Sequence, residues 1–394
     1  MKRVYLDHIA ATPLHPSVLE AMTPFLTGTF GNPRSFHSEG QAALAAVEEA
    51  RGKVAALIGA DDSEIYFTSN GTEANNFAIK GLALGRKAQG THIVVSAVEH
   101  PSVLNPVKTL EKLGFISTVV PVDRTGRVDP AEVEKALTPQ TTLVSVMTAN
   151  SEVGTIEPVA EIAALCRSRN IVFHTDAVAA AGSIPVDVEA LGVDALSLAA
   201  DQFGGPKGAA ALFVRRGTRI LPLIDGGVQE GGRRGGTENV AGIAGLGRAA
   251  ELARLEMPDR TSRMRALRDR LLEELPRRVE NVIVTGAAGD GRLPHHASFC
   301  VEFVEGEAMM LSLDMKGVAA SSGSACASKS LQASHVLLAM GFDHATAQGS
   351  LVFSLIDATT REDIDHLLDV FPPIIERLRR MSPLYTQHMK EKGR

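Results

Sequence analysis

Glu64-Ile-Tyr-Phe-Thr68 leads directly into Ser69-Asn-Gly71-Thr72-Glu73-Ala-Asn75-Asn76, and a helical pattern fills residues 74–84. The first five residues read as a strand, Gly71 as a tight turn, and the residues after it as a helix. Free backbone N–H groups at such a helix start, with the Thr72 hydroxyl, suit a phosphate; a glycine turn with a threonine cap is the plainer alternative. Outward from this unit the alternation recurs. Strand-like runs at residues 92–96, 142–147, 171–175 and 209–214 are separated by helical patterns at 102–112, 130–136 and 158–169. Strands alternating with helices predict a parallel α/β sheet. A charged helical stretch at 259–274, followed by β-like segments at 282–284 and 297–303, marks entry into a second, smaller domain.

Bulk properties narrow the class of function. The chain has 394 residues, 44% hydrophobic and 22% charged, which suits a large core or two domains. A net charge of −6 leaves no polybasic surface, so neither nucleic acid nor membrane is expected as a partner. No apolar run reaches membrane-spanning length and the first residues contain no signal-peptide core, so a cytoplasmic location is expected. Three cysteines, Cys166, Cys300 and Cys326, form an odd set without paired spacing, which argues against a disulfide framework or a closed zinc site.

Several residues at strand ends could carry chemistry. Ile171-Val-Phe-His-Thr-Asp176 ends an apolar strand in an acid, where open α/β sheets place ligand groups. Asp176 could pair with a pyridinium nitrogen or simply cap the next helix. His100, in Ser96-Ala-Val-Glu-His100-Pro, could stack on an aromatic ring or be an ordinary loop residue. In Ala320-Ser-Ser-Gly-Ser-Ala-Cys326-Ala-Ser, a glycine and several serines surround one thiol, a setting suited to a nucleophile or a metal ligand. Cys166 and Cys300 sit among apolar neighbours and read as core residues.

Taken together, the motifs resemble those of cysteine desulfurases of the NifS/IscS type, in the class V aminotransferase group of fold type I pyridoxal-phosphate (PLP) enzymes. The resemblance runs nearly end to end. It includes Tyr5-Leu-Asp7, Gly31-Asn32-Pro33, Gly71-Thr-Glu-Ala-Asn-Asn, Glu99-His100 and Asn150-Ser-Glu152-Val-Gly154. It continues through Asp176-Ala, Gly205-Pro-Lys-Gly, Arg234-Gly-Gly-Thr237-Glu-Asn and Ser321-Ser-Gly-Ser-Ala-Cys326. The resemblance implies a mainly parallel seven-stranded sheet in a large domain, about residues 15–255. It implies a small α/β domain from residues 1–14 and 256–394, carrying the Cys326 loop.

Position by position, it makes Thr72 a phosphate contact, His100 the stacking and catalytic imidazole, Asn150 a ring-oxygen contact and Asp176 the pyridinium partner. Thr237 would reach the phosphate across a homodimer interface, and Cys326 would accept sulfur. Five positions depart from the family's pattern. In Ser197-Leu-Ala-Ala-Asp201-Gln202-Phe-Gly-Gly-Pro-Lys207-Gly208 the expected serine, histidine and Schiff-base lysine are Ala199, Asp201 and Gln202. The glutamine expected near Asp176 is Ala179, and the arginine expected to hold the substrate carboxylate is Val352. A glutamine amide cannot form the covalent link to PLP. The expectation is therefore a homologue with lost or greatly reduced desulfurase activity and with PLP noncovalent or absent. Its Cys326 would carry a persulfide or ligate an iron-sulfur cluster shared with a scaffold protein or sulfur acceptor. The subgroup without the lysine, known from archaea and anaerobes, resembles this chain through Arg379-Arg-Met-Ser-Pro-Leu-Tyr385 as well. The alternatives are an active PLP-dependent desulfurase in which Lys207 substitutes, or another PLP reaction with Asp201 as base.

Overall fold

A computed structural model describes residues 2–322 and 333–393. Its strands, in chain order, are β1 (Val4–Tyr5), β2 (Ile65–Thr68), β3 (His92–Ser96), β4 (Ile116–Val120), β5 (Thr141–Ser145) and β6 (Val172–Asp176). They continue as β7 (Ala195–Ala199), β8 (Ala210–Val214), β9 (Val282–Val284), β10 (His296–Val301), β11 (Val318–Ala319) and β12 (Ser350–Ser354). Seven of them form one sheet in the order β2-β8-β7-β6-β5-β3-β4. The β4-β3, β3-β5, β5-β6 and β6-β7 pairs are parallel, and β8 alone runs against its neighbours β7 and β2. This is the mainly parallel α/β sheet that the alternating pattern predicts.

Period-two alternation divides the sheet's side chains between two cores. Val94, Val144, Phe173 and Leu196 point to one face and pack with Ile162, Leu246 and Ala249. Ile93, Leu143, Val172 and Ala195 point to the other and pack with Phe77, Leu82, Val103 and Leu110. The latter four come from helices Gly71–Gly85 and Pro101–Glu111, which lie side by side. A polar chain crosses the sheet interior: His174 on β6 bridges Ser145 on β5 at 2.9 Å and Ser197 on β7 at 3.0 Å.

A separate apolar cluster joins Val4 and Leu6 to Phe299, Leu351, Phe353, Leu367 and Phe371. It sits on the antiparallel β12-β10-β9 sheet and the parallel β1-β11 pair. One helix, Val240–Arg278, spans both regions. Ile243, Leu246 and Ala250 near its start belong to the large sheet's core, whereas Leu271 and Leu275 near its end belong to the second cluster. The helix expected at 259–274 is thus the later part of a far longer one.

Two strands of the large sheet, β4 and β7, and β12 of the three-stranded sheet have no counterpart among the strands expected from sequence. β4 is an edge strand whose Ile116 and Val119 are both exposed, so it lacks an apolar-in pattern. β7, Ala-Leu-Ser-Leu-Ala, has little β-branched character and is held by neighbours on both sides.

Candidate functional site

The turn after β2 is built around Gly71. A Cβ there would lie 2.8 Å from Val178 Cγ2 and 3.7 Å from the Ala199 methyl, so any side chain would have to displace Val178. Asn70 caps the helix beyond it, its Oδ1 accepting from Glu73 N at 2.8 Å. Glu73 in turn accepts from Ser69 N at 2.9 Å and pairs with Arg234 Nε at 2.8 Å. Neither of these bonds uses the Thr72 hydroxyl, which lines a cleft of about 280 Å³ between the two adjacent helices. His100 lines the same cleft, together with Asn76, Lys80 and Ser102.

Asp176 lies buried at the C-terminal end of β6. Its Oδ2 accepts from Asn75 Nδ2 at 2.6 Å and its Oδ1 from Val178 N at 2.9 Å. Burial raises its pKa above the usual carboxylate range, the nearby His100 and the two donors opposing. Asn75 Nδ2 also donates to Ser102 Oγ at 2.8 Å, and Ser102 Oγ lies 2.6 Å from His100 Nδ1. The structure thereby joins three of the sequence-nominated positions, Thr72, His100 and Asp176. It adds two that the sequence alone does not single out, Asn75 and Ser102. Asn75 stands inside the glycine motif, but its partner lies 101 residues away in the chain.

The remaining positions are placed differently. Asn150 is buried with its amide committed to the chain: Nδ2 donates to Val98 O at 2.9 Å, and Oδ1 accepts from Glu152 N and Val153 N. Gln202 ends the short turn after β7, half-buried, and its amide makes no hydrogen bond among the described residues. The Asp201 carbonyl is held by Thr12 through N–H and hydroxyl, and burial raises its carboxyl pKa. Lys207 is exposed. Val352 is buried on β12 yet belongs to neither flanking core, because Leu351 and Phe353 take the apolar face.

Thr237 is exposed and does not line the Thr72 cleft. Its segment is nonetheless anchored, by Arg51 to Glu230 through two bonds of 2.8 and 2.9 Å and by Arg34 to Glu238 at 3.1 Å. Cys326 falls outside the described residues. Cys166 and Cys300 are fully buried, which pushes both thiols up to about 12 and leaves them unreactive at neutral pH.

A buried acid lies behind His100. Glu99 accepts from Ser96 Oγ at 2.6 Å and Met147 N at 2.8 Å through one oxygen, while Oε2 has no partner among the described residues. Burial first, then the neighbouring Asp176 and Glu157 carboxylates, push it up to about 8.

Comparison with known proteins places this geometry. Residues 4–367 match the family model described as aminotransferase class-V. A cysteine desulfurase IscS of Dictyoglomus turgidum is 52% identical over 391 residues, covering 99% of each chain. A cysteine desulfurase IscS of Clostridium botulinum is 47% identical, again over 99% of both. A solved structure of a NifS-like protein superposes with a TM-score of 0.90 at 37% identity, covering 95% of this chain and all of that one. The chain belongs to the cysteine desulfurase family of class-V aminotransferases. This family is PLP-dependent, works in dimers and delivers sulfur for iron-sulfur assembly. Among the described residues no helix is long and apolar enough to cross a membrane.

The cofactor of the family can be tested against the side chains present. A pyridine ring fits the Asp176 end, where a buried carboxyl already carries two donors and the Asn75 Oδ1 beside it has no partner among the described residues. At Gln202, where the resemblance implies a Schiff-base lysine, an amide stands, and Lys207 five residues on is exposed.

Proposed function

We propose that this desulfurase homologue acts in sulfur transfer and iron-sulfur cluster assembly without normal PLP-dependent cleavage of cysteine. The observation that carries the reading is the amide of Gln202, unengaged at the end of β7, in a family that needs an amine there. Ala199 and Val352 strengthen it. Neither side chain can donate a hydrogen bond, so a phosphate and a substrate carboxylate each lose a partner worth about 1 to 3 kcal/mol.

PLP, when present, is held noncovalently through Asp176, His100 and Thr72, and would supply an electron sink at the substrate carbon. Cys326 serves as persulfide carrier or as one thiolate ligand of a cluster shared with a scaffold protein or sulfur acceptor. The working unit is a cytoplasmic homodimer, which completes each site with Thr237 from the other copy. The exposed Phe30, Phe36 and Val228 supply apolar area for such a contact, Phe36 being 99% accessible.

Anaerobic purification with PLP, then gel filtration, an absorption spectrum and a sulfide-release assay, tests this reading. The expected protein is colourless or loosely yellow and releases no sulfide from cysteine. A stable visible band with turnover would overturn it. A cluster formed with a scaffold should lose its visible bands in Cys326→Ala, and retention there would remove Cys326 as ligand.

A further inference from the structure

We infer that Ser102 is a positioning residue that fixes which nitrogen of His100 carries the proton and couples that imidazole, through Asn75, to Asp176. The inference deepens the reading of His100 as a site residue and rests on it. Pro101 has no N–H, so the first free donor of helix Pro101–Glu111 is Ser102 N, and it ends on His100 Nδ1 at 3.1 Å. The Ser102 hydroxyl ends on the same nitrogen at 2.6 Å. Because that hydroxyl accepts from Asn75 Nδ2, its single proton is free to point at Nδ1.

Two donors converging on one ring nitrogen leave no room for a proton there. The neutral ring is therefore the Nε2–H tautomer, and its remaining polar edge, in the cleft with Thr72 and Lys80, is a donor. Asn75 extends the link, since the same Nδ2 that serves Ser102 also serves Asp176 Oδ2. A flipped Asn75 amide would set Oδ1 against the Asp176 carboxylate, whereas in the observed orientation Oδ1 is the atom left without a described partner. A change of charge on Asp176 thus alters the donor strength of Asn75, then of the Ser102 hydroxyl, at His100 Nδ1.

The test uses the full chain labelled with ¹⁵N-histidine, without cofactor or cysteine, so it can fail independently of any catalytic assignment. Long-range ¹H–¹⁵N spectra are recorded at about pH 8.5, above the usual imidazole range, and His100 is identified by the signals lost in His100→Gln. The expected pattern is an acceptor-type Nδ1 and an N–H-type Nε2, and the reverse would overturn the inference without any Ser102 variant. Asp176→Asn should then move the Nδ1 resonance. That movement should collapse in Ser102→Ala and return in Ser102→Thr. Equal movement with and without the hydroxyl would mean that Asp176 acts through space, and the coupling would be wrong.

Discussion

At the Asp176 end of the site, Asp176, Asn75, Ser102 and His100 are joined by four hydrogen bonds, whereas at the end of β7 the Gln202 amide bonds to nothing described and Ala199 has no polar side-chain atom to bond. Three of the five departures from the family's pattern, Ala199, Asp201 and Gln202, fall at the second end, whereas Ala179 lies three residues beyond Asp176. The difference has a physical cause. Removing one member of a buried polar network strands its partners, at about 1 to 3 kcal/mol for each orphaned group. Replacing a ligand-facing serine or arginine by an apolar residue strands nothing in the protein itself. The first end is therefore held by folding whether or not a ligand is used, and the second is held by function alone.

Gln202→Lys would break the comparison most sharply. If the Asp176 end is intact and only the amine is missing, this variant should acquire a visible PLP band that survives gel filtration, where the wild type keeps none. Sulfide release should stay near background, because Val352 still offers no charge to a substrate carboxylate. A variant that remains colourless would show that the Asp176 end is not competent either.

The next effect in size concerns Glu99. Its folded pKa, about 8, lies above the ordinary carboxylate value, so the folded state holds a proton that the unfolded chain releases. Its contribution to stability is complete below about pH 4.5 and is lost as pH rises through about 8. Glu99→Gln, whose Oε1 can still accept from Ser96 and Met147, should remove that loss. Urea unfolding between about pH 5 and 9 should show the variant gaining on the wild type by a few kcal/mol as pH rises. Parallel curves would mean that Glu99 is ionised throughout.

Much of the fold is legible in the sequence because it is local. The strand, Gly71 turn and helix lie in consecutive residues, and Asp176 closes an apolar run that is wholly buried in the sheet. Strand β7 is not legible, since Ala-Leu-Ser-Leu-Ala becomes a strand only between β6 and β8. The site divides in the same way. Thr72, His100 and Asp176 can be nominated from their motifs, yet Ser102 reads as an ordinary polar residue in the first turn of a helix. Its meaning comes from Asn75, 27 residues earlier. Glu99 stands next to His100 in a family motif, but nothing in its neighbours along the chain says that it is buried.

The smallest expected effects set the two ends side by side in one experiment. Asn75→Ala removes the donor shared by Asp176 and Ser102 and should cost about 1 to 3 kcal/mol, read as a lower urea midpoint with an unchanged slope. Gln202→Ala removes an amide that bonds to nothing described and should change stability by no more than about 0.5 kcal/mol. The contrast between them is the informative quantity. If Gln202→Ala costs as much as Asn75→Ala, the amide has a structural partner, and its presence at the end of β7 would reflect folding rather than the loss of a catalytic amine.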